Sequence, residues 1–510
     1  MKEISHGKQL IINMSASFVA YGVSLFISFF LSPYIVRTIG VEANGFVGLA
    51  NNFVSYASLI TIALNSLAGR FITISITRGD EKAANRYFTS VFYANLLIAA
   101  VLAMIGGGII VFLERLVNVP EGLVGDVRWL FMFVFLNCII GVIGSVFGVA
   151  TFARNKLYLS SLREIEGNLA RALCIIALFA LSKPRVCYLG AASLLSGGYV
   201  LLRNLRFTRK LLPEIRIAWE HFDLRAVREL IASGIWNTIN RLGQILMDGL
   251  DLLITNIFIN ATSMGVLSLA KTVPSLITGL MGTVVNVFSP NFTILYAENK
   301  HEELFASVRQ SMKIMGLMTN LPIIVLIVCG QEFFRLWQPT QDARALQILG
   351  LLSIGVLVFS GGINCLYNIF TVVNKIRLNS LVVLGTSFFG AICTLILLKT
   401  TSLGIYAVAG TSTVVALFRN LLFTAPYGAK CLNRKWYVFY PDIFRPALFC
   451  VISSLVCMAV LRFTAQGWLI LACKACCTCA LSGAIGFFLL LNQNDRSYLL
   501  GILRRIIRKH

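Results

Sequence analysis

The residues able to do chemistry in this chain are few, and the densest group is the run NRLGQILMDGLD at 240–251. Arg241, Asp248 and Asp251 interrupt a segment otherwise built of Leu, Ile, Met and Gly. On an ideal helix Asn237, Arg241, Gln244, Asp248, Asp251 and Thr255 share an arc of about 80°. A guanidinium flanked by amides suits a phosphate or carboxylate. The two carboxylates suit a cation. The same charges could instead lock helices together. Arg241 and Asp248 stand two turns apart, about 10 Å, too far for a direct pair along one helix.

Depth sharpens the question. Arg241 lies about 11 residues, roughly 16 Å, into the apolar run 230–257. A lipid-facing arginine there costs about 2.5–3.5 kcal/mol on insertion scales, so the side chain must face protein or a wet cavity. Lys271 enters the following run, 265–289, from the other side. The first run, 10–36, repeats the polar face 220 residues earlier with Asn13, Ser17, Tyr21, Ser24 and Ser28. Arg241, Lys271, Asn237, Gln244, Tyr21, Ser24 and Ser28, with the carboxylates Asp248 and Asp251, are the expected lining of a polar cavity. Arg419 and Lys474 sit near the ends of their runs and are expected to snorkel.

These residues must be positioned by membrane-spanning helices. The chain has 510 residues, 57% hydrophobic and only 13% charged, with mean hydropathy +0.80. A soluble protein is nearer 25% charged. Apolar runs of roughly 20 residues, the length that crosses a hydrocarbon core, recur from end to end. Read along the sequence they are 10–36, 45–68, 88–113, 128–152, 167–182, 186–202, 230–257, 265–289, 311–333, 345–370, 379–398, 403–425, 446–463 and 467–491. The expected fold is an all-α polytopic membrane protein of about 14 transmembrane helices. Its organisation is a six-helix lobe at 1–210, an interfacial linker at 211–229, a second six-helix lobe at 230–425, and two further helices with a basic tail at 426–510.

The formal charge of +22 does not require a nucleic acid. With the N-terminus inside, loops assigned to the cytoplasm hold 31 of the 44 Lys and Arg, and outside loops hold 9. That bias sets the orientation and places both termini in the cytoplasm. The linker RNLRFTRKLLPEIRIAWEHFDLRAVRE and the tail SYLLGILRRIIRKH alternate basic and apolar residues, a pattern that lies against anionic membrane lipid. The first run is too long for a signal-peptide core of about 7–15 residues, so it reads as a retained span.

Enzyme signatures are missing from the sequence. There is no Walker A pattern. The four His all lie outside the spans, and no His/Cys/Asp group has metal spacing. The run CKACCTC at 473–479 spreads its thiols around a helix, and it reads as small apolar packing. Outside loops are too short to fold on their own. No cofactor, no metal and no catalytic residue is expected.

The halves align without a gap at an offset of 220. IVRTIGVEANGFVGLA (35–50) falls on TNIFINATSMGVLSLA (255–270), with Gly45 on Gly265 and Leu49-Ala50 on Leu269-Ala270. Such a parallel repeat, with its axis along the membrane normal, places substrate between pseudo-symmetric halves.

The runs SPYIVRTIGVEANGFVGLANNFVSYASLITIALNSLAGRFI and DGLDLLITNIFINATSMGVLSLAKTVPSLITGLMGTVVNVFSPNF resemble polysaccharide flippases of the multidrug/oligosaccharidyl-lipid/polysaccharide (MOP) superfamily, the Wzx-type transporters of O-antigen, capsule and exopolysaccharide. The resemblance covers the whole chain. It implies movement of undecaprenyl-pyrophosphate-linked oligosaccharide across the bacterial cytoplasmic membrane by alternating access. It also implies a lipid-linked oligosaccharide as cargo, contacted by Arg241, Lys271, Asn237, Gln244, Tyr21, Ser24 and Ser28, with Asp248 and Asp251 as coupling-ion (H⁺ or Na⁺) or cavity charges, and a polysaccharide polymerase as a candidate partner. The other readings are an H⁺- or Na⁺-coupled multidrug exporter of the same superfamily and a membrane scaffold that transports nothing.

Overall fold

The structure, a computed structural model, describes residues 6–373 and 375–490. The basic tail and the side chain of Asp248 lie outside the described residues. Helices make up most of the described residues, with no strand among them. Nine of these helices are long and apolar enough to cross a membrane, and a broken pair adds a tenth. The chain is thus an all-α, multi-pass membrane protein. It divides into two compact units, residues 1–268 and 269–510.

The first unit opens with α1 (His6–Ile39), α2 (Val41–Ala57), α3 (Leu59–Thr77), α4 (Glu81–Val111) and the short α5 (Leu113–Leu116). It continues with α6 (Val124–Gly144), α7 (Val149–Ala153), α8 (Leu157–Leu181), α9 (Cys187–Leu211), α10 (Leu224–Gln244), α11 (Asp251–Phe258) and most of α12 (Ala261–Ala270). The fifth expected span, 167–182, is therefore the second half of a 25-residue helix that begins at Leu157. Its first turns carry Arg163, Glu164 and Glu166, which read as a loop in the sequence. They pair within the unit instead. Tyr199 Oη donates to Glu166 at 2.5 Å, Arg203 lies 3.2 Å from the same carboxylate, and Arg163 donates to Asn204.

Helices meet in lipid through close backbone approach rather than through a hydrophobic drive. At Gly234 on α10 a β-carbon would stand 2.0 Å from the carbonyl oxygen of Ala63 on α3. Only glycine lets these two helices touch there. Around this crossing Leu64, Ile72, Phe88, Val91, Val146 and Leu230 form one core cluster. A second cluster gathers Leu31 and Ile35 of α1, Ile175 and Phe179 of α8, and Leu189 and Ala192 of α9.

The 220-residue repeat becomes physical where α2 crosses α12. A β-carbon on Gly45 would lie 2.8 Å from Cα of Gly265, and one on Gly48 would lie 2.9 Å from Ser268 Oγ. Thr262 Oγ1 donates to Glu42. In all three pairs the partners are 220 apart, so residues equivalent in the repeat face one another on successive turns. Asn260, the first residue of an Asn-Ala-Thr triplet, accepts from Ser263 N at 2.7 Å and caps α12.

The second unit holds α13 (Thr272–Ala297), α14 (His301–Trp337), α15 (Ala343–Ile354), α16 (Leu357–Ser360), α17 (Asn364–Val372) and α18 (Ile376–Thr400). After these come α19 (Ile405–Arg419), α20 (Ala425–Cys431), α21 (Tyr440–Val460) and α22 (Trp468–Leu489). The last two helices are each fastened to α14 by an ion pair. Arg309 clasps the buried Asp442 of α21 at 2.5 and 3.2 Å. Lys474 of α22 donates to both oxygens of Glu332 at 2.9 and 3.0 Å and to the Phe463 carbonyl at 2.8 Å. Lys474 is buried, so the expected snorkelling does not occur. The reason is the acid on α14, which the reading of α22 by itself did not weigh. The cysteines of the 473–479 run are exposed on α22, while Lys474 and Thr478 take its buried face.

Candidate functional site

The charged run is built on α10 and the turns just beyond it. Asp223 starts α10 by accepting from Arg225 N at 2.8 Å, an N-terminal cap. The glycine crossing with α3 then fixes the rotation of α10. Asn237 Nδ2 reaches Ser66 Oγ of α3 at 3.4 Å. One turn on, Arg241 Nη1 donates to Gln244 Oε1 at 3.0 Å, and Gln244 Nε2 donates to Asn240 Oδ1 at 2.9 Å. Arg241 and Gln244 are both exposed. Among the described residues the guanidinium has this neutral amide and no carboxylate as its partner. The arrangement holds a full positive charge in place without cancelling it.

The helix then changes pitch. Ile245–Gly249 is a π-helical segment, one extra residue in the ladder. Its freed carbonyl, Gly249 O, accepts from Asn52 Nδ2 at 2.9 Å and from Tyr56 Oη, both on α2. The extra residue also displaces everything beyond it around the axis. The single 80° arc expected from an ideal helix therefore does not persist. Arg241 and Gln244 stand exposed, whereas Asp251 and Thr255 are buried. Thr255 Oγ1 caps the Asp251 carbonyl at 2.7 Å. Below them Asn256 and Asn118 exchange three bonds, at 2.7, 2.9 and 3.1 Å, pinning α11 to the loop after α5.

The polar face of α1 divides in two. Asn13 donates to the carbonyl and the side chain of Asn155, each at 3.0 Å, and Ser17 Oγ lies 3.2 Å from Ser161 Oγ on α8. These residues serve packing within the unit. Tyr21, Ser24 and Ser28, further along α1, are half-buried. α1 packs on α8 and α2, while α10 packs on α3 and α4, so the serine face and the charged face stand on separate helices. Lys271 belongs to the second unit, at the break between α12 and α13, where its carbonyl accepts from Ser275 Oγ at 2.7 Å. Arg419, also in the second unit, is half-buried and donates to Tyr367 Oη at 3.4 Å, next to another π segment, Asn420–Thr424.

One cation escaped the sequence reading. Arg171 is exposed 14 residues into α8, about 21 Å along the helix, and has no polar partner among the described residues. Taken as loop-adjacent, it counted as ordinary inside charge. Following the helical register back to Leu157 would have exposed its depth. A neutral cluster was also missed: Asn65 and Asn95 exchange bonds at 2.9 and 3.1 Å, and Asn95 donates to Ser145 at 3.0 Å. No group of three or more His, Cys, Asp or Glu among the described residues could hold a metal.

Comparisons with known proteins agree on the kind of molecule. A family model described as polysaccharide biosynthesis protein matches residues 10–296. The uncharacterized membrane protein EpsK of Bacillus subtilis (strain 168) is 29% identical over 449 residues, which are 88% of this chain and 89% of that one. Among solved structures, the lipid II flippase MurJ in an inward closed conformation superposes with a TM-score of 0.65 at 14% identity, covering 94% of this chain and 99% of that one. An inward-facing multidrug resistance MATE transporter of the MOP superfamily gives 0.61 at 14% identity, covering 83% and 98%. At such identities these two establish the fold.

Proposed function

Since the chain belongs to the polysaccharide biosynthesis protein family, we propose that it is a flippase, a transporter rather than an enzyme, carrying undecaprenyl-pyrophosphate-linked oligosaccharide across the bacterial cytoplasmic membrane by alternating access, with both termini in the cytoplasm. A pyrophosphate cannot enter hydrocarbon without a compensating charge. Arg241 supports this reading most directly: it is an exposed guanidinium held by a neutral amide, with no carboxylate partner among the described residues. Its remaining donors are free for phosphate oxygens. Arg171 is a second cation in the same unit, with no polar partner among the described residues, and the second unit contributes the basic residue Lys271. Asn237, Gln244, Tyr21, Ser24 and Ser28 supply neutral hydrogen-bonding groups of the kind sugars need. Asp248 and Asp251 are the acids available to a coupling H⁺ or Na⁺. A polysaccharide polymerase would take up the delivered cargo.

The fold is shared with MurJ, whose name records a lipid flippase, and with a multidrug transporter. The exposed guanidiniums of Arg241 and Arg171 on the first unit favour an anionic cargo over a cationic one.

The test is leaflet exchange of a fluorescent lipid-linked oligosaccharide in proteoliposomes. Exchange is expected with the wild type and is lost with Arg241→Glu. Full exchange with both Arg241→Gln and Arg241→Glu would sink the cation role. Efflux of organic cations without lipid exchange would assign the chain to drug export. Neither activity would leave a scaffold.

A further inference from the structure

Away from the charged run, the first unit holds a cavity of about 350 Å³. One wall is Leu205, Thr208 and Arg209 in the last turns of α9. The floor is Phe88 of α4 and Phe147. The other wall is the linker, with Leu212, Pro213, Ile215 and Ile217. The lining is apolar apart from Thr208 and Arg209, and Thr208 Oγ1 is already spent on the carbonyls of Phe147 and Asn204 at 2.9 and 3.0 Å.

The linker is a built wall. Asn85 of α4 donates to Glu214 O at 3.2 Å and accepts from Arg216 N at 2.6 Å. Arg154 binds Leu211 O at 3.0 Å and Glu214 Oε1 at 2.5 Å. Asp223 N donates to Ser90 Oγ at 2.9 Å. These bonds hold the segment away from α9 and keep the space open.

Arg209 is exposed at the edge of this space and has no acid partner among the described residues. Arg206 and Lys210 beside it are likewise exposed and outside any ion pair among the described residues. Ile217, in the lining, presents 39% of its surface, and Trp219, two residues on, presents 66% and rests edge-on against Tyr93 at 4.8 Å. An amphipathic aromatic beside a basic cluster at a helix end marks the membrane–water boundary.

We propose that this cavity takes one acyl chain of an anionic phospholipid, with the phosphate on Arg209. At roughly 30 Å³ for a water-sized group, the volume suits a chain segment of on the order of a dozen methylenes. A neutral lipid would fill the apolar space and leave the guanidinium unmet. The proposal concerns a membrane lipid outside the transport run, and it stands whether or not the chain is a flippase.

The experiment uses the full chain reconstituted from vesicles of equal phosphatidylglycerol and phosphatidylcholine, with retained lipid counted by native mass spectrometry. Phosphatidylglycerol should be enriched about fivefold, the worth of one basic residue at an anionic surface. Arg209→Glu should bring the two lipids to parity. Ile217→Glu, which sets a carboxylate in the lining, should do the same. Arg206→Glu, outside the lining, should leave the enrichment largely intact. Unchanged enrichment in both lining variants overturns the site. Equal loss with Arg206→Glu overturns it too, since that is diffuse surface attraction. Competition by acyl-free glycerophosphoglycerol as strong as by the intact lipid overturns the acyl-chain assignment. Monodisperse elution of each variant separates these outcomes from misfolding.

Discussion

Charge in this chain is treated in opposite ways at different residues. Arg241 is presented on a neutral support, while Lys474 is buried and cancelled. The Lys474 and Glu332 side chains are only 6% and 13% exposed, and the lysine also meets a backbone carbonyl. Removing one partner leaves the other uncompensated, which costs about 3–5 kcal/mol. Lys474→Met is therefore expected to lower the thermal midpoint of detergent-solubilised protein sharply. Adding Glu332→Leu should recover most of the loss. A single variant as stable as the wild type would show the pair to be dispensable. For Arg241, loss of a hydrogen bond to a charged group is worth about 1.5–3 kcal/mol, so Arg241→Gln should slow lipid exchange by roughly 10- to 100-fold at unchanged midpoint. The sequence displayed both residues equally well. It could not say which had an acid across the helix interface, because Glu332 lies 142 residues from Lys474.

At the scale of the element, the expected runs fall on helix, but nine helices, or ten with the broken pair, are long and apolar enough to span among the described residues, and the interruptions were not legible. The apolar runs fixed where helices lie because lipid demands internally satisfied backbone. The π segment at Ile245–Gly249 leaves no mark in hydropathy. Its signature is spatial: a spare carbonyl met by Asn52 and Tyr56 from α2. The single arc projected from an ideal helix therefore does not carry past Ile245. The repeat fared better, since its offset of 220 reappears as direct contact between α2 and α12. Cysteines placed at Glu42 and Thr262, whose native side chains are hydrogen-bonded, are expected to cross-link under mild oxidant. The readout is a mobility shift on non-reducing gels. A control pair moved one residue along α12 should not react, and absence of the shift in both would count against the crossing.

For the whole molecule, the charge bias of the sequence predicts an orientation: 31 of the 44 Lys and Arg fall in the loops assigned to the cytoplasm, the tail among them. A C-terminal green fluorescent protein fusion should therefore fluoresce in cells, and a C-terminal alkaline phosphatase fusion should be inactive; the reverse pattern would invert the topology. The face-to-face pairs at Glu42/Thr262, Gly45/Gly265 and Gly48/Ser268 carry a further consequence. A residue that touches its own counterpart is the mark of a two-fold interface between identical subunits. Here the counterparts belong to one chain. The crossing of α2 and α12 has the geometry of a homodimer contact drawn within one chain, so a substitution there alters one side of the pair and not both. Gly48 meets a serine where a strict dimer would match like with like, and Tyr21 stands where the other half has Arg241.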